Sequence, residues 1–120
     1  MKNLPRLYIV VDNTLNKGKA TAQSCHAVAE FAIIHHDKFE QWDNEFIVCL
    51  RGNPETVYNK IFGLVLAESK KENPDRFALP SISDYHEPDM ADKMTAVAVL
   101  ALNEKQLEVC ESLFKDLPLI

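Results

Sequence analysis

Apolar and polar blocks alternate along the chain in a pattern of strands and helices. Residues 7–11 (LYIVV) are continuously apolar and β-branched, which predicts a strand buried on both faces. Residues 12–19 (DNTLNKGK) are polar and contain Gly18, a loop signal. A helix is predicted from residue 20 to about residue 36, with Ala22, Cys25, Ala29, Ala32 and Ile33 spaced by three and four as one apolar stripe. Residues 37–45 are polar, with Phe39 and Trp42 as packing anchors around a short helical turn. A second strand, 46–50 (FIVCL), ends at Arg51-Gly52-Asn53. Asn53 then caps, and Pro54 begins, a helix to about residue 70 with Val57, Ile61, Leu64 and Val65 inward. After a turn-rich loop at 71–76, residues 77–84 read as a weaker strand whose Pro80 places it at an edge or delays its start. Residues 85–94 are a polar loop, and 95–102 (TAVAVLAL) a central strand. Asn103 caps a last helix through about residue 114.

The order β-α-β-α-β-β-α predicts an α/β fold, a small four-stranded mixed sheet with helices on both faces, in one domain spanning 1–120. The first two strands flank a helix and are expected to be parallel. Ligands in such sheets sit beyond the carboxyl ends of strands, where the 12–19 loop lies. If the fourth strand runs with the first, Thr95 enters at the opposite end of the sheet, and pattern alone leaves both arrangements open.

At 120 residues with 47% hydrophobic and 26% charged, the chain can bury a core without a metal or disulfide. Its formal charge of −5 disfavours a non-specific nucleic-acid coat while leaving room for a local basic patch. Cys25, Cys49 and Cys110 are odd in number and widely spaced, so buried free thiols in a reducing, cytoplasmic setting are expected. The N-terminal apolar run breaks at Asp12 and reads as a strand, not a signal peptide. No run approaches the ~18 apolar residues that span a bilayer, so no membrane partner is expected.

Two clusters can carry chemistry. Lys19, Gln23, His26 and Glu30, spaced by four, three and four, share one helix face. Gly18, Ala20, Ala22, Ser24 and Ala27 leave room for an approaching backbone or ligand. The helix N-terminus, with Lys17 and Lys19, favours a phosphate or carboxylate. A solvated polar face is the plain alternative. The second cluster is Asp84, His86, Glu87, Asp89 and Asp92, followed by Lys93 and Thr95. Carboxylates beside a histidine can supply a general base, or be an exposed acidic loop. No HxxxH or HxH spacing accompanies them, and no metal is expected. His35-His36 reads as a cationic helix end. GxGxxG, GxxxxGK[ST] and GxSxG are absent, which removes the common dinucleotide, NTPase and α/β-hydrolase signatures.

Lys17-Gly18-Lys19-Ala20-Thr21-Ala22-Gln23-Ser24-Cys25-His26-Ala27, directly after the first strand, resembles the GK-x-A-A-Q-x-x-H-A signature of the type-two peptidyl-tRNA hydrolases, with Thr21 in place of one alanine. Glu87-Pro88-Asp89 followed by Thr95-Ala96 looks like the EP-x…TA element of divergent members, and Asp116–Ile120 (DLPLI) is similar to the family's closing L-x-L end. The family's DAG-x-TQ segment is absent, and Asp12-Asn13 stands where it usually carries arginine and aspartate. The resemblance implies a four-stranded mixed sheet, frequent homodimers, and hydrolysis of the ester joining a peptide to tRNA without a cofactor. It assigns oxyanion or phosphate binding to Lys19, a carbonyl-directed amide to Gln23, water orientation to Thr95, and proton acceptance to Asp84 or Asp89. His26 is either a base or a brace for the helix. Lys17, Gly18, Lys93 and Asp89 would meet the terminal nucleotides. A non-catalytic RNA-end binding module that has lost the water-activating acid is the alternative.

Overall fold

β1 (Arg6–Asp12) is apolar from Leu7 to Val11, where both of its faces are covered by helices. In the computed structural model, which describes residues 4–120, it is followed by α1 (Lys17–Ile34), α2 (His36–Trp42), β2 (Phe46–Gly52), α3 (Pro54–Ser69), β3 (Ser81–Glu87), a 3-10 turn (Pro88–Met90), β4 (Lys93–Ala101) and α4 (Glu104–Phe114). The four strands form one mixed sheet in the order β2-β1-β4-β3. β1 and β2 are parallel, whereas β4 is antiparallel to both β1 and β3. The mixed α/β architecture expected from the pattern is the one observed.

Strand alternation sorts the core into two layers. Leu7, Ile9 and Val11 of β1, with Ala96, Ala98 and Leu100 of β4, pack against Ala20, Ala27 and Phe31 of α1 and Trp42 of α2. Tyr8, Val10, Val97, Val99 and Ala101 point the other way, to Val57 and Ile61 of α3 and to Leu107, Cys110 and Phe114 of α4. Asn16, Asn53 and Asn103 cap α1, α3 and α4 by accepting from the N–H three residues on.

The inward stripe of α1 differs from the expected one. Ala20, Gln23, Ser24, Ala27 and Phe31 are buried, while Ala22, Cys25, Ala29 and Ile33 face outward. The helix can bury polar residues because their groups are paired: Ser24 donates to the Ala20 carbonyl, and Gln23 is bonded across to the sheet. Phe31 supplies the large apolar anchor. On α3, Val57 and Ile61 are buried, but Leu64 and Val65 are exposed; Leu64 borders a cavity of about 550 Å³ shared with α4. The three thiols are free, as expected, but only Cys110 is buried; Cys49 is half-buried and Cys25 exposed.

β3 begins only after Pro80 and lies at the sheet edge, as that proline implies, and residues 75–79 before it form turns. The Phe77 carbonyl there accepts from Asn103 and Gln106 of the last helix's cap. It then runs through to Glu87, and β4 starts at Lys93, so much of the expected 85–94 loop is paired strand. No helix among the described residues is long and apolar enough to cross a membrane.

Candidate active site

Sheet order decides which residues meet. Because β4 is antiparallel to β1, Ala96 pairs with Val11, and the start of β4 lies at the carboxyl end of β1. β3 runs with β1, so Glu87 arrives at the same end. The register shifts between Tyr85 and His86: Tyr85 pairs with Ala96 and His86 with Met94, which leaves Thr95 as an extra residue. Such a bulge re-aims a side chain. Here the Thr95 hydroxyl donates to Gln23 Oε1 at 2.5 Å, and Gln23 Nε2 donates to Glu87 Oε1 at 2.8 Å. One buried carboxamide therefore ties α1, β4 and the end of β3 together.

Glu87 is fixed from two sides, since its other oxygen accepts from the Asp89 N–H at 3.3 Å. The Gln23 amide, then the Asp89 N–H, and more weakly His26 hold its carboxyl below the usual range, outweighing partial desolvation. A carboxylate has about four lone-pair sites, so capacity remains for a water or hydroxyl. His26 stands beside it, its ring stacked on Tyr85 with centroids 4.9 Å apart and planes 10° off parallel.

A second pair flanks the first. Lys93 Nζ lies 2.6 Å from Asp12 Oδ2, with Asp12 nearly buried and Lys93 about half exposed. Burial alone would raise the Asp12 pKa, but Lys93 and two bonds from Thr14 bring it below its ordinary value. The β1–α1 loop is braced from outside: Arg51 donates to the Leu15 carbonyl, and the Asn13 N–H to the Gly52 carbonyl. That loop presents Lys17, Gly18 and Lys19, all exposed, on the first turn of α1, which carries no acidic residue. A side chain at Gly18 would meet only Asn16 Oδ1 at 3.6 Å, so the space over this turn is open.

The structure brings Gln23, Thr95, Glu87 and His26 together, with Lys93 bound to Asp12 and Lys19 on the exposed turn above. Lys19 and Gln23 share a helix face one turn apart, Lys19 exposed and Gln23 buried beneath it. Thr95 is fully buried and spends its hydroxyl on Gln23 rather than on solvent. Asp84 is not brought to this group. It has the strand parity of Ile82, which packs on the α3–α4 side, and it bonds His86 Nε2 at 2.7 Å. Asp89 is exposed in the 3-10 turn.

Sequence reasoning passed over Asp12, Tyr85 and the part played by Glu87. The Glu87-Pro88 pair was the available signal for the last, since Pro88 starts the 3-10 turn that Glu87 caps. Among the described residues one exposed trio, His36, Asp37 and Glu40, has ligand atoms close enough for a metal, and it lies on α2, away from this group. Comparison with protein-family models and with curated proteins gives no match.

Proposed function

We propose that the chain hydrolyses the ester bond between a peptide and tRNA, releasing free tRNA for reuse. The observation that carries this reading is the Gln23–Thr95 hydrogen bond, which unites two motif segments 72 residues apart at one end of the sheet. The sequence string at 17–27 supplies the substrate class.

In this reading the first turn of α1, with Lys17, Gly18 and Lys19, takes a phosphate of the terminal nucleotides. Glu87 is the proton acceptor, in place of Asp84 or Asp89, because it alone of the three is bonded to Gln23. Water bonds to the ester carbonyl carbon as Glu87 takes its proton. Lys19 stabilises the oxyanion, the ester C–O bond breaks, and the proton passes to the departing ribose oxygen. Gln23 and Thr95 position the carboxylate. No cofactor enters. The reading extends to a cytoplasmic protein with free thiols, and to a homodimer, for which outward-facing Ile33 and Ile47 offer apolar surface.

The test is peptide release from an N-blocked aminoacyl-tRNA. Lys19→Ala, Gln23→Ala and Glu87→Gln should each lower turnover at least about tenfold, equivalent to ~1.4 kcal/mol, with circular dichroism unchanged. Wild-type rates in all three would defeat the assignment. The buried Thr95 hydroxyl and the turned-away Asp84 favour a second reading, a non-catalytic RNA-end binding module; tRNA binding with no release by wild-type protein would select it.

A further inference from the structure

The hydrolysis scheme leaves the His26–Tyr85 stack without a task. The two rings belong to different elements, α1 and β3, and lie within 10° of parallel. Tyr85 is half-buried and packs on the first core layer, so it is the fixed member. His26 is exposed, and Tyr85 covers one face of its imidazole, so the second face is open. A flat aromatic surface held rigid from below is what an unpaired nucleobase stacks on, whichever base it is.

Charge separates the base from its phosphate. Glu30 follows His26 by one turn, and Glu87 and Asp89 sit at the end of β3. These carboxylates repel a phosphate from the stack. Lys17 and Lys19, on the first turn of α1, have no ion-pair partner among the described residues, and Lys19 lies two turns before His26 on the same face, a rise of about 10 Å. A phosphate at Lys19 and a base at His26 thus lie on one continuous path along the helix.

We propose that His26, backed by Tyr85, is a stacking platform for an unpaired base at the end of an RNA strand. This deepens the RNA-end reading above and rests on it for the ligand class. His26 is here a binding and positioning residue and takes no proton.

The experiment uses short 5′-fluorescein single-stranded RNAs that differ only at the 3′ terminus, one ending in adenosine and one in an abasic ribose, read by anisotropy. Wild-type protein should bind the intact end more tightly by about 5- to 150-fold, the range of one stacked base. His26→Ala should abolish that preference, and His26→Phe, which keeps a flat ring, should retain it. Thermal melts of both variants show whether the stack only joins β3 to α1. A melt that falls for His26→Ala while the end preference stays wild-type overturns the platform. So does equal binding of the two ends by wild-type protein, or no binding of either. Peptide release is followed in parallel. Release without end preference removes the platform and leaves the hydrolase; end preference without release removes the hydrolase and leaves the platform.

Discussion

Gln23 shows how much one side chain can organise. Its carboxamide oxygen and nitrogen are both used, toward Thr95 and Glu87, and little of it is exposed. Replacing it leaves the Thr95 hydroxyl buried without a partner. Gln23→Ala should therefore destabilise the protein by about 1–3 kcal/mol in urea unfolding. Adding Thr95→Val should recover part of that loss, since removing both partners is cheaper than stranding one. Additive single-site losses would show that the bond is not stabilising. The same variant changes acid behaviour. Glu87 has a lowered pKa in the folded state, so its contribution is present above its ordinary value of 4.5 and disappears as pH falls through the lower folded value. Without the Gln23 amide, the Glu87 titration followed by NMR should move up toward 4.5.

At the scale of elements, the β3–β4 connection combines tension and restraint. Ala91 and Asp92 both have left-handed backbone, at φ 55° and 57°, a conformation that costs an alanine about 1–2 kcal/mol. The turn is closed by the Asp92 N–H on the Glu87 carbonyl and clasped by His86, whose Nδ1 meets the Asp92 carbonyl while Nε2 meets Asp84. Only the imidazolium donates to both. The Asp92 carbonyl and then Asp84 raise the His86 pKa above 6.5. A raised histidine contributes fully below 6.5 and loses that contribution as pH climbs through the folded value. The urea midpoint should thus fall as pH rises above 6.5, and His86→Phe should remove this part of the pH dependence. The polar composition of 85–94 predicts a loop because the sequence pattern shows polarity, whereas pairing on an edge strand needs only backbone groups. In α1 the error ran the other way. Alanine and cysteine at helical spacing looked inward, but Phe31 and the paired Gln23 and Ser24 decided the buried face. Local spacing made the α1 candidates legible. Glu87 as the partner of Gln23, and Asp12 as the partner of Lys93, are not legible, because strand order brings each pair together.

Over the whole molecule, the antiparallel placement of β4 gathers the ends of β1 and β3 and the start of β4 beside the start of α1. Element order is readable from the alternation of apolar and polar blocks; the direction of β4 is not, since the pattern does not say which way the β3–β4 pair runs relative to β1. The three thiols fall in different layers of this arrangement. Burial pushes Cys110 up to about 12, and raises Cys49 less, whereas Cys25 stands in solvent. A thiol-reactive dye at neutral pH should modify Cys25 first, Cys49 slowly, and Cys110 only on unfolding; early modification of Cys110 would contradict the packing of α4. Cys25 adjoins His26 in sequence and lies on the outward side of the helix that carries the Gln23 carboxamide. A fluorophore or spin label attached there would test in real time whether the RNA end proposed above arrives, without any engineered attachment point.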